Sequence, residues 1–535
     1  MDLGHLYEQA SATHVVVIGG GIAGLVAARE CAKVGMRVTV LEAGEEPGGA
    51  IRTGEIAGIR LDLGAESFAT RGGHVRRLVD ELGLGDAVVT PGAGGAWVAG
   101  LPGRGEGGGS AAAPLPRGGI LGIPANPFAE DVRRVIGWRG AWRAYLDRVR
   151  PPLTIGHEHS LGRLVRSRLG EAVLERLVAP VTTGVYSARP DDIDTDIAAP
   201  GLNAALTRAG SLTGAVVELA AARRGAPGTA VEGIDGGMGR LVDALAADLS
   251  ERGVVLRTGT RVTGLRREGE AWVVELDADG ADGSEVAERP AAAEGIPASA
   301  DAPAPEGAPV SGEDPADGDG ARADTADVVI VATDEGTARG LLAAHVPGLD
   351  ERPARPGPVV HVVTLVLQAP ALDAAPRGTG VLTVPGSHRA KALTHATAKW
   401  EWLRRDAQGR HVVRVSFGAQ GEEPATEGLD EPDATRLALT EASALLGVPL
   451  TPEQLVGCRI ERFTQSQPAA TIGLREETRR VRERIRAVPA LGVVGAWLAG
   501  TGLAQVVPDA VEEADRVRRA ALWSDPEAPG SDPAP

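Results

Sequence analysis

The stretch Val15–Gly24, VVVIGGGIAG, limits what this chain can fold into more than any other. Four apolar residues, Val15 to Ile18, read as a parallel strand buried on both faces. They open directly into Gly19-x-Gly21-x-x-Gly24, and the apolar run LVAARECA that follows predicts a helix. Glycines at that spacing let a strand turn tightly, let backbone N–H groups approach a pyrophosphate, and let helix pack on strand. The helix N-terminus adds partial positive charge for the same phosphates. A second strand is predicted at Arg37–Leu41 and ends in Glu42, placed to accept hydrogen bonds from a ribose. This βαβ unit predicts a dinucleotide site. Gly19, Gly20, Gly21, Ile22, Ala23 and Gly24 belong to its diphosphate turn, and Glu42 and Ala43 to its second strand end.

The residues after Glu42 bear on which dinucleotide is bound. Pro47-Gly48-Gly49 leads through Ala50 to Arg52, and LDLGAES follows, ending at Ser67. Gly48 and Gly49 again let backbone near phosphate, and Arg52 offers a planar donor fork. Both segments resemble the FAD-dependent amine oxidase superfamily, in which the second runs along the flavin. The resemblance implies FAD, with Gly49, Ala50, Arg52, Gly64, Ala65, Glu66 and Ser67 as further cofactor contacts. It extends to a glycine-started helix after Glu232 and to Thr260-Arg261-Val262, similar to the adenine-side strand, whose Val262 is a contact. Val328 to Ala332 is similar to a strand that returns to the FAD. Leu491 to Ala496 is a further strand, and Trp497, Gly500, Thr501, Gly502 and Leu503 then match a turn that aims a helix at the flavin ring end.

Composition excludes several classes. No apolar run approaches the roughly 18 residues a membrane span needs, and Met1 to His14 lacks the pattern of a signal peptide. The only cysteines, Cys31 and Cys458, rule out a disulfide framework and suit a reducing cytoplasm. No Cys/His spacing suggests a metal. The net charge of −17 disfavours non-specific nucleic-acid binding. Asp277 to Ala326 supplies −11 of that charge, from thirteen acidic and two basic residues, and has almost no large apolar side chain. Such a segment is predicted to be disordered, an inflated loop between a hairpin (RVTGLRREGEAWVVEL) and the strand in ADVVIVATD.

The expected fold class is α/β, a Rossmann-like FAD-binding domain assembled from discontinuous segments with an inserted helical region and a mixed-sheet substrate domain. FAD-binding segments are expected at 11–95, at 225–345 with the disordered acidic insertion 277–326, and at 456–522. A helical, membrane-domain-like region takes 96–220 and contains a glycine-rich loop from Gly100 to Gly119. The substrate-binding domain takes 346–455, with β-like runs such as VVHVVTLVLQ, and 523–535 is a disordered tail.

The middle of the chain narrows the resemblance. LPRGGILGIP, Leu115 to Pro124, resembles a signature of oxygen-dependent protoporphyrinogen and coproporphyrinogen oxidases, and APVTTGVYSARPDDID is similar to their helical region. Lys399-Trp400 matches their Lys-Trp segment. The arginine-rich composition, with only three lysines, looks actinobacterial and favours the coproporphyrinogen branch, whose members are soluble and cytoplasmic. The resemblance implies oxidation of a porphyrinogen with oxygen as acceptor, and transient contact with the next haem-pathway enzyme. Arg71 and Lys399 are the candidate substrate residues; no catalytic residue is named. Alternatives are a protoporphyrinogen IX oxidase, an amine-oxidase or carotenoid-desaturase-like flavoenzyme, and a non-catalytic porphyrin- or FAD-binding paralogue. The chain departs from the pattern at Phe463, where the family has tryptophan, at Leu474, where it has histidine, and at Pro508 inside the last predicted helix.

Overall fold

The computed structural model describes residues 3–103, 111–149, 158–223, 231–277, 323–349, 354, 356–466 and 470–523. At its centre the strand His14–Ile18 pairs in parallel with Arg37–Leu41 on one side and Val328–Val331 on the other. Val255–Arg257 and Leu491–Val493 complete a five-stranded parallel sheet. Alternate residues of the central strand enter different cores, as a strand covered on both faces requires. Val15 and Val17 pack with the helices Ile22–Ala32, Gly239–Glu251 and Leu503–Trp523. Val16 and Ile18 pack with Trp272, Leu342 and Ile485 on the other face. The register sets Leu41, Ile18, Val331 and Val493 side by side, so the loops leaving these four strands emerge on one edge.

The predicted hairpin is present, Val262–Glu268 against Ala271–Leu276. A second, seven-stranded sheet runs in the order 455–464, 359–367, 411–417, 392–395, 380–383, 96–101, 111–114. One of its faces, with Val363, Leu365, Val413, Val415 and Phe417, packs on the helix Glu431–Leu446. The opposite face carries Arg414 and Glu461 towards the first domain and Val98 into the helical region. That region has its own core, built from the helices Glu130–Tyr145, Leu161–Leu169, Leu202–Ala209 and Leu212–Arg223 and their connections. Among the described residues no helix is long and apolar enough to cross a membrane. The last helix, Leu503–Trp523, runs through Pro508 without a break.

Several expected boundaries move. Ala96–Leu101 and Ala111–Pro114 are paired strands of the seven-stranded sheet, neither helical nor loop. Their alanines and glycines hide the β pattern, and pairing with Gly380–Thr383 supplies what propensity lacks. Leu455–Thr464 forms the far edge of the same sheet and does not belong to the last cofactor segment. Ala323–Ala326, placed inside the expected insertion, is a third strand beside Ala271–Leu276. Residues 278–322 lie outside the described residues, as do 524–535 of the expected tail. A helix at Leu3–Ala12, absent from the sequence reading, buries Ala10 and bonds Gln9 Nε2 to the Ala521 carbonyl.

Because Glu275 already pairs with Ala323, a short Gly-Ser turn suffices to join Asp277 to that strand. Replacing 278–322 in this way is expected to leave the thermal unfolding midpoint within about 2 °C of the parent, since shortening a loop changes closure entropy only slightly. Differential scanning calorimetry measures it, and a large drop would show that the segment packs on the body.

Candidate flavin site

Three glycines of the first turn are needed for three different reasons. Gly19 has φ +110, and a Cβ there would lie 2.7 Å from the carbonyl oxygen of Ala332. A Cβ on Gly24 would fall 1.9 Å from the Gly19 oxygen, so this glycine sets how closely helix and strand cross. Gly21 has an ordinary φ of −71, and a Cβ there would meet only the Gly49 Cα, at 4.0 Å. It is the one of the three whose missing side chain leaves open space beside a helix N-terminus. A diphosphate fits that space, with the first N–H groups of Ile22–Ala32 and the helix dipole directed at it.

The other predicted cofactor residues are gathered around this turn. Gly48 N–H donates to the Gly20 carbonyl at 2.9 Å, which holds the Gly48-Gly49 turn against Gly21. Glu42 accepts hydrogen bonds from the Gly20 and Gly44 N–H groups, at 2.6 and 2.7 Å. The Glu42 carbonyl takes the N–H of Thr260, which brings the loop before Val262 beside it. Ala65 N–H bonds the Ala50 carbonyl, and a Cβ on Gly64 would collide with that same oxygen at 2.1 Å. Leu63 N–H bonds the Arg52 carbonyl, so the segment 62–67 lies along 48–52. Arg52 is directed elsewhere than expected. Its guanidinium pairs with Glu461 at 2.5 Å and stacks over the Phe463 ring, which ties the phosphate-side turn to the edge of the seven-stranded sheet.

Glu66 ends in a buried ion triad. Lys399 Nζ lies 2.5 Å from Oε1 and Arg414 Nη1 lies 3.1 Å from Oε2. Burial by itself raises the carboxyl, but Lys399 and Arg414 outweigh it and hold Glu66 down at about 2. Arg414 also donates from Nη2 to the carbonyls of Leu63 and Gly64. Lys399 is therefore committed to Glu66, not standing free for a substrate carboxylate. Next to the triad, Asp62 accepts the Met238 N–H, and burial pushes its carboxyl up to about 6. Asp62, Glu66, Trp400 and Arg414 line one small cavity, and Trp400 Nε1 and Arg414 Nε have no hydrogen-bond partner among the described residues. Sequence reading missed Arg414 and Glu461. The signal was available, since a charged residue interrupts an otherwise apolar strand in HVVRVSF, but its partner lies more than 300 residues away.

The C-terminal turn sits at the same sheet edge. Val494 N–H bonds the Val331 carbonyl, and Gly500 and Gly502 both have positive φ, 104 and 105. Thr501 and Gly502 are exposed, and Leu503 starts the last helix. Trp497 is buried among Val331, Val493 and Leu498. Arg71 is exposed in the turn after Phe68–Ala69 and makes no ion pair among the described residues. The departures Phe463 and Leu474 are separated: the first meets Arg52, the second lines a pocket with Trp497 and Arg339.

Gly21 and Gly24 make a contrasting pair of tests. Gly21→Val is expected to melt like the FAD-free wild-type protein and to retain no FAD, because its side chain fills only the space beside the helix N-terminus. Gly24→Ala is expected to lower stability itself, since overpacking of this kind costs about 1–3 kcal/mol. Thermal denaturation together with flavin absorbance of the purified proteins separates the two. A flavin-replete Gly21→Val would remove this turn from the site.

Comparison with known proteins gives a consistent result. The family described as flavin containing amine oxidoreductase matches residues 22–294. A protein of Propionibacterium freudenreichii subsp. freudenreichii named coproporphyrinogen III oxidase is 28% identical, over 97% of this chain and 93% of its own. One of the same name from Bacillus subtilis (strain 168) is 25% identical, over 94% of this chain and 96% of its own. A putative protoporphyrinogen oxidase from Exiguobacterium sp. 255-15 has the same fold, with a TM-score of 0.74 at 24% identity over 95% of this chain and 99% of that one. A reduced UDP-galactopyranose mutase shares it at a TM-score of 0.63 and 14% identity, covering 95% of this chain and 97% of the other. The cofactor of the chain is FAD. With the matched segment taking in a little over half of its length, from the first phosphate-side helix onward, the chain belongs to the flavin containing amine oxidoreductase family.

Proposed function

We propose that this protein is an FAD-dependent oxidase that converts coproporphyrinogen III to coproporphyrin III during haem synthesis in the cytoplasm, with oxygen as electron acceptor. The observation that supports it most is the likeness to proteins named coproporphyrinogen III oxidase, which spans nearly the whole chain and is not confined to the cofactor segments. Formation of the porphyrin removes six electrons in three two-electron steps, with three oxygens becoming three peroxides. FAD, when bound, supplies acceptance of a hydride from carbon at each step.

The chain supplies position and charge. The turn Gly19–Gly24 and the helix behind it hold the diphosphate, and Glu42 is the acceptor for ribose hydroxyls. Glu66, Lys399 and Arg414 fix the segment that resembles the flavin-side stretch of the family. The substrate carries four propionates, which call for cationic partners at the pocket. Arg163 and Arg166 of the helical region are already paired, with Glu158 and with Asp191 and Glu171. Arg71 is one of the exposed arginines that make no ion pair among the described residues, and it follows the flavin-side segment directly.

Aerobic incubation of the yellow protein with coproporphyrinogen III is expected to give coproporphyrin fluorescence and three peroxides per porphyrin. A faster reaction with protoporphyrinogen IX would change the assigned substrate; none with either would leave a binding protein. Arg71→Ala is expected to keep its FAD and lose at least about tenfold in kcat/KM for coproporphyrinogen, since a charge-assisted hydrogen bond is worth about 1.5–3 kcal/mol. Steady-state kinetics at low and high salt checks this. An unchanged KM at both would return Arg71 to the solvated surface.

A further inference from the structure

The triad at Glu66 is more than a fastening. Its carboxylate comes from the dinucleotide domain and both cations from the seven-stranded sheet side of the molecule, Arg414 from the strand His411–Phe417 and Lys399 from the short helix Ala396–Lys399. The three side chains are only 14%, 18% and 9% exposed, so water screens them little. Two cations against one carboxylate leave a charge of +1. The carboxylate of Asp62 shares the cavity, is pushed up to about 6 by burial, and is ionised at pH 8. Arg414 reads the backbone as well as the charge, since it takes the carbonyls of Leu63 and Gly64 as well as Glu66. The side chains that hold 62–67 on the seven-stranded sheet are therefore also sources of field at that segment.

We propose that Glu66, Lys399 and Arg414 are positioning residues that dock the flavin-side segment 62–67 on the seven-stranded sheet and, through the sum of their charges, set how readily the bound flavin is reduced. This rests on the FAD reading of the site and on that segment's running along the flavin. A nearby positive charge favours the electron-rich reduced cofactor, and a nearby negative charge opposes it. Removing Lys399 lowers the local charge by one, and neutralising Glu66 raises it by one. The two changes therefore act in opposite directions, whereas mere loosening of the segment moves the flavin one way whichever partner is lost.

The test is the two-electron midpoint potential of the purified, FAD-containing proteins at pH 8, measured by dye equilibration, with bound FAD quantified in each. Each unit change of charge is expected to move the reduction equilibrium by about tenfold, or about 30 mV. Glu66→Gln should shift it upward, Lys399→Met downward, and the double variant should return close to wild type. Lys399→Arg keeps the charge and should stay near wild type. If Glu66→Gln does not fold, the contrast between Lys399→Met and Lys399→Arg still decides. Equal potentials in all variants, or shifts of one sign in both single variants, overturn the charge role. A wild-type protein that takes up no FAD overturns the flavin reading beneath it, and is told apart by the flavin content alone.

Discussion

The Gly19 carbonyl oxygen lies where a side chain on Gly24 would have to go, and Gly19 itself lies against the Ala332 carbonyl. These approaches bring together three pieces of chain, two adjacent in sequence and the third far along it. The first strand, its helix and the strand Val328–Val331 share one crossing point, and only glycine admits it. Once the crossing is fixed, parallel pairing sets Leu41, Ile18, Val331 and Val493 in line. Four loops then emerge on one edge of the sheet, where open α/β sheets bind ligands. The open space beside Gly21 is a consequence of that alignment. The space keeps its shape because the residues around it cannot move apart without losing the packing of both sheet faces.

A buried ion triad is a poor way to gain stability, because desolvation of the charges offsets most of their attraction. Its value in this chain lies in geometry. Arg414 has acceptors at Leu63, Gly64 and Glu66, three of four consecutive residues, and a planar guanidinium satisfies all of them in only one orientation. Arg52 does the reverse, reaching from the phosphate-side turn to Glu461 on the edge strand. The two domains are thus stitched by opposite crossings, with Arg52 reaching one way and Lys399 and Arg414 the other. An apolar contact of the same area would bury comparable surface but would leave the register of 62–67 unspecified.

Legibility in the sequence followed burial. The parallel strands were readable because both faces are covered, so Val15–Ile18 and Val328–Val331 appear as unbroken apolar runs. The hairpin at 262–276 was readable from its alternation. Ala111–Pro114 and Ala323–Ala326 were not, because small residues carry no β signal, and Ala96–Leu101 was not, because Trp97 and Val98 stand among glycines and alanines and its pairing is decided by a partner distant in the chain. Leu455–Thr464 failed for another reason: as an edge strand it carries Arg459, Glu461 and Arg462 among half-exposed residues with no clean alternation, and lies in sequence beside the last cofactor segment. At the site, the glycines and Glu42 were legible as a local motif. The commitments of Arg52 and Lys399 were not, since ion pairs across more than 300 residues leave no spacing to read.

The seven-stranded sheet decides what kind of molecule can be presented to the cofactor edge. Its strands 96–101 and 111–114 share a core with the helical region, while 455–464 at the opposite edge holds Glu461 against Arg52. One continuous hydrogen-bonded surface therefore runs from the helical region to the dinucleotide domain. Hinging the helical region against the far edge of this sheet would have to break strand pairing. The helical region and the edge that meets Arg52 are therefore held at a fixed distance by one sheet. In the function proposed, this fixed frame faces a large, stiff ring with anionic arms, and the proposal places its recognition on exposed cations such as Arg71.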